Sequence, residues 1–149
     1  MDSLAILVAA ETLVNLCGKV NAYIQWLMTK SSDRQNILQV LRFEIGSLAY
    51  VFEAISVHLG DEETVQNPFK SFEEAHLQRL LDSMNECRVV LEDLQRMLQP
   101  AGVRPHGQLQ HRAQSPSVGG VNWEILPLLK RKFSAYRKGM GLSLRTIEL

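Results

Sequence analysis

LAILVAAETLVNLCGKVNAYIQWLM, residues 4–28, carries only two formal charges, Glu11 and Lys19, and is apolar at every position from Leu4 to Ala10. At helical spacing, Ile6, Ala9, Ala10, Leu13, Leu16, Cys17, Val20, Ile24 and Leu27 form one continuous stripe, the pattern of a helix that buries one face in a core. The opposite side is Glu11, Thr12, Asn15, Lys19, Ala22 and Trp26. Followed toward the N-terminus one turn at a time, that polar side runs from Glu11 to Leu7, and from Thr12 to Val8 and Leu4, so the first turns have no polar face. A helix tip that is apolar all round calls for a cover. Leu4, Leu7 and Val8 are therefore candidate contacts for a partner or a membrane.

Stop and start signals divide the remainder into three more helical segments. Ser32 with Gln35 reads as a capping box after Lys30-Ser31-Ser32-Asp33. It opens a segment with the stripe Leu38, Leu41, Ile45, Leu48, Phe52, Ile55 and Leu59, closed by Gly60. An acidic loop over 61–70 contains Asn67-Pro68, and a second box, Ser71 and Glu74, opens the stripe Leu77, Leu80, Met84, Cys87, Leu91, Leu94 and Leu98. Pro100 ends this helix. The Pro- and Gly-rich stretch over 100–121 reads as a flexible loop. A last helix starts at or just before Pro127, with the stripe Leu126, Leu129, Phe133, Tyr136, Met140, Leu144 and Ile147, weakened by Gly139 and Gly141. Segments of about 25 residues, each about 37 Å long, can cover one another. The short connections at 29–33 and 60–70 suit antiparallel neighbours, and the third is long enough for a crossover. The expectation is one all-α domain over 1–149, an antiparallel bundle of four long helices with a flexible loop before the last.

The 149 residues are 46% hydrophobic and 21% charged, enough for a genuine core, and the formal net charge is zero. Charge is nevertheless segregated. Residues 61–99 carry net −5 and residues 122–149 net +4. Cys17 and Cys87 both fall on apolar stripes, which favours a reducing compartment over a disulfide framework. The N-terminus opens Met1-Asp2-Ser3 without the basic start of a secretory signal, and the uninterrupted apolar run is short of the ~20 residues a conventional span needs. A cytoplasmic location follows from this reading.

Motifs for nucleotide binding, zinc hydrolysis or an activated serine are absent, so no catalytic, cofactor-binding or metal-ligating residue is assigned and no small-molecule substrate is implied. His58 beside Asp61, Glu62 and Glu63 reads better as a solvated helix end than as a metal site. His76, Glu73-Glu74 and Glu92-Asp93 read as solvated faces, and His106 and His111 fall in the loop. Ser115-Pro116 is a common pattern for proline-directed phosphorylation. The run Lys130-Arg131-Lys132-Phe133-Ser134-Ala135-Tyr136-Arg137-Lys138 has more content. Its leading reading is intramolecular: the helix neutralises the acidic third helix while Phe133 and Tyr136 join the core. Next come an acidic protein face and anionic lipid headgroups, with Lys130, Arg131, Lys132, Arg137 and Lys138 as the contacts. Net neutrality and the lack of a recognition motif place nucleic acid last.

The opening MDSLAILVAAETLVNLCGKVNAYIQWL, with Gly18-Lys19-Val20 at its middle and Trp123 before a last helix rich in Lys and Leu, resembles the fungal N-terminal domain of STAND proteins, a group related to HeLo-like domains. The resemblance spans almost the whole chain. It implies a signalling or effector module of fungal NOD-like receptors, acting through self-association or a protein partner. It further implies peripheral action at membranes in regulated cell death, with the first helix as the membrane-active element. The alternative from the residues alone is a structural adaptor bundle that binds protein and has no membrane activity. Neither reading is enzymatic.

Overall fold

The structure, a computed structural model, describes residues 3–30, 32–59, 70–98 and 121–148. Helix α1 spans Ser3–Lys30, α2 Gln35–Leu59, α3 Lys70–Leu98 and α4 Leu126–Glu148, with single 3-10 turns at Ser32–Arg34 and Trp123–Ile125 leading into α2 and α4. The chain is an all-α bundle of these four helices, and no strand occurs among the described residues.

Periodicity locates the core. On α1, Ile6, Ala10, Leu13, Cys17, Val20, Ile24 and Leu27 are buried, while Ala9 and Leu16, at the margins of the stripe, are half-buried. All seven stripe positions are buried on α2, and all seven on α3. On α4, Leu126, Leu129, Phe133 and Met140 are buried and Tyr136 and Leu144 are half-buried; the side chain of Ile147 lies outside the described residues. Trp26 departs from its expected polar side. It is half-buried against the core, with the Lys30 ammonium 5.7 Å from its ring centroid, an amphipathic ring serving both environments.

Helix α1 packs on α2 and α3, and α4 packs on the same two, so α2 and α3 face each other across a diagonal. The connection over 60–70, expected to join antiparallel neighbours, joins helices on opposite corners instead. The second flank of α2 is taken by α4. These two helices run in the same direction: the Arg34 guanidinium lies 5.0 Å from the Trp123 ring centroid near their starts, and Glu44 pairs with Arg137 farther along. The long third connection permits this parallel placement.

Local chemistry fixes the ends. Asn122 Oδ1 accepts the Glu124 N–H at 3.2 Å, and the Ile125 N–H donates to the Asn122 carbonyl at 3.2 Å, so the turn before α4 is capped by its own Asn. Pro127 then falls in the first turn of α4, where its missing N–H would have had no helical acceptor. At the α1–α2 corner the Thr29 hydroxyl donates to the Trp26 carbonyl and the Gln35 amide reaches back to the Met28 carbonyl, so last-turn carbonyls of α1 gain donors. Gly139 and Gly141 leave α4 continuous. Gly60, the side chains of Ser32, Ser71 and Glu74, and residues 100–120 of the loop expected over 100–121 lie outside the described residues, while Val121 at its end is buried.

Candidate interaction surface

At the tip of α1, Leu4 is 60% exposed and Val8 56% exposed, while Leu7 is half-buried against the core. One helix thus carries both a buried stripe and an apolar outer tip. By length and composition α1 is also long and apolar enough to cross a membrane, a test that core helices of soluble bundles pass as well.

The basic segment divides by helical phase. Helix α4 packs beside the acidic α3, as the charge segregation leads one to expect, and Phe133 and Tyr136 turn toward the core. Arg131, Lys132 and Lys138 are exposed and Lys130 is half-buried. The Tyr136 phenol is pushed above its usual range, first by burial and then by the nearby Glu86 and Cys87. Arg137 points the other way, toward α2, and its Nε donates to Glu44 Oε1 at 2.7 Å. Glu44 is only 4% exposed. The sequence reading passed over it, although its position was a signal: Glu44 lies three residues after Leu41 and four before Leu48, in phase with the buried stripe, and a carboxylate there needs an inward-facing cation.

The outer side of α2 is a second feature that the reading of its inner stripe overlooked. Phe43, Tyr50 and Val57 are 73%, 75% and 77% exposed, and Val40 is 43% exposed. Shallow grooves flank this ridge. On the α1 side Asn21, Arg42 and Gly46 line one groove, and Glu11, Asn15 and Glu53 line another. On the α4 side a groove is lined by Ser47, Val51, Lys138 and Arg145. The detectable signal was periodic: a second apolar series of the same repeat, half a turn away from the first.

The remaining titratable groups offer little chemistry. Cys17 and Cys87 are buried; burial pushes the Cys17 thiol up from 9.0 to about 12, and burial followed by the neighbouring Cys17 raises Cys87 as well. Thiols held neutral in this way are poor nucleophiles and poor metal ligands. His58 is half-buried at the end of α2 and His76 half-buried on α3. Asp93 pairs with Arg96 on the surface of α3. Among the described residues no group of three or more His, Cys, Asp or Glu is placed to hold a metal ion. Asp61, Glu62, Glu63, His106, His111 and Ser115-Pro116 lie outside them.

Compared with known proteins, the chain matches no family model, no curated protein and no solved structure.

Proposed function

We propose that this chain is a non-catalytic helical interaction module of the signalling or effector kind, in which the tip of α1 makes contact with a protein partner or another copy. The observation that carries this reading is the exposure of Leu4 and Val8 at 60% and 56% on a helix whose other face is part of the core. Fully burying such side chains is worth roughly 1.5–3 kcal/mol each, and a partner that covers them recovers much of it. The exposed Arg131, Lys132 and Lys138 add a cationic region suited to an acidic protein face or anionic headgroups. A cytoplasmic site of action, peripheral at the membrane in regulated cell death, accords with the resemblance to fungal STAND N-terminal domains.

Changing Leu4 and Val8 together to Asn tests the reading. The double variant is expected to keep the far-UV circular dichroism spectrum and melting temperature of the wild type, because the stripe from Ile6 to Leu27 is untouched. Contacts made by the α1 tip, read as partner capture or as toxicity on expression in a fungal cell, are expected to be lost. A folded variant that remains as active as wild type overturns the assignment. The adaptor alternative is favoured by the burial of the main α1 stripe in the chain's own core. Flotation and dye leakage with vesicles containing anionic lipid separate it from membrane action, since an adaptor gives neither signal.

A further inference from the structure

We propose that the outer ridge of α2 is a homotypic docking surface, on which two copies of this chain pack α2 against α2 in antiparallel fashion about a two-fold axis between Ser47 and Tyr50. The proposal concerns a different surface from the α1 tip and does not depend on it.

The ridge has the spacing of a helix–helix seam. Val40, Phe43, Ser47, Tyr50, Ala54 and Val57 recur at alternating steps of three and four, opposite the face that α2 buries. Scattered exposed apolar residues need no explanation, whereas Val40, Phe43, Tyr50 and Val57 aligned on one helix face do. Large and small residues alternate in its centre: Phe43 and Tyr50 stand well out, and Ser47 and Ala54, both half-buried, leave gaps beside them.

The order of those residues selects the occupant. When the series is reversed and laid against itself, Phe43 of one copy meets Ala54 of the other, Tyr50 meets Ser47, and Val40 meets Val57. Each central layer then sets a large side chain against a small one, the condition for knobs to enter holes. Charge obeys the same symmetry. Arg42 and Glu53 lie on the α1 side of the ridge, one in each of its two grooves, and the reversal brings Arg42 of each copy alongside Glu53 of the other. Both pairings occur twice, as an isologous contact requires. A parallel arrangement would instead stack Phe43 on Phe43 and Tyr50 on Tyr50, and would leave Arg42 and Glu53 on opposite sides of the seam. A contact one helix wide and about 27 Å long, from 18 residues at 1.5 Å each, is at the small end for a specific interface, so the dimer forms at high protein concentration.

Sedimentation equilibrium over a concentration series up to a few hundred micromolar, in low salt, tests this. Wild type is expected to show reversible monomer–dimer exchange, and Tyr50→Glu to weaken it at least about tenfold, as loss of a central aromatic anchor does. Arg42→Glu and Glu53→Arg are each expected to weaken dimerisation, and the two together to restore it, with circular dichroism confirming the fold of each variant. The Leu4→Asn, Val8→Asn variant is expected to dimerise like wild type, which separates this surface from the α1 tip. A wild-type chain that stays monomeric throughout, a Tyr50→Glu variant that dimerises undiminished, or a double charge reversal that rescues nothing overturns the proposal.

Discussion

Glu44 is where a single residue says most about this bundle. Its carboxylate is removed from water and its named compensation is the Arg137 guanidinium at 2.7 Å. Deleting one partner of a buried pair strands the other. Arg137→Ala is therefore expected to cost about 3 kcal/mol, the lower end for such pairs because Arg137 keeps some exposure, read as a shift in the urea midpoint. Replacing both with Leu is expected to recover most of that loss, since two apolar side chains remove the stranded charge. The cysteines make a second residue-scale prediction. With the folded Cys17 pKa raised from 9.0 to about 12, folded and unfolded chains bind the same thiol proton below about pH 9. Above it the unfolded chain ionises first, so the folded state holds more protons and stability falls as pH rises from about 9 toward about 12. Cys17→Ala with Cys87→Ala is expected to flatten part of that decline in urea titrations at pH 8 and pH 10.

Among the elements, α4 shows how packing overrides propensity. Gly139 and Gly141 weaken it locally, yet the helix runs unbroken because Leu126, Phe133 and Met140 anchor its inner face. A methyl group at Gly139 would meet nothing within 4 Å, and the position is exposed. Gly139→Ala is thus expected to raise stability by roughly 0.5–1 kcal/mol, measured as an increase in melting temperature. Helix α2 carries two apolar stripes half a turn apart. The inner one, with Leu38, Leu41, Ile45, Leu48, Phe52, Ile55 and Leu59, is the longer and more aliphatic, and it takes the core. The outer one is broken by Ser47 and Ala54 and so gains less by burial within the chain.

At the scale of the whole molecule, four helices share one core, and no described helix buries its stripe without two neighbours. Unfolding is expected to be one cooperative transition. Trp26, near the end of α1, and Trp123, which opens the turn before α4 with Arg34 against it, report on the α1–α2 corner and the start of α4. Their fluorescence change is expected to coincide with loss of helical circular dichroism across a urea titration. Separate midpoints would show that this end of the bundle opens on its own.

What the chain's order of residues determined by itself was local. The helical period, the stripes that became the core and the approximate starts of α2 and α4 follow from side-chain spacing and local helix breakers acting over a few residues, and they are legible one segment at a time. The apolar tip of α1 was legible too, since Leu4 and Val8 are out of phase with the buried stripe. Tertiary structure alone decided which helices became neighbours. The partners of α2 are α1 and α4, and nothing in the spacing of Glu44 names Arg137, 93 residues away, as its counter-charge. It also decided that Trp26 folds onto the core and that the second stripe of α2 faces outward. Periodicity shows that a face is apolar, but which apolar face is buried is settled by competition among all four helices for a limited interior.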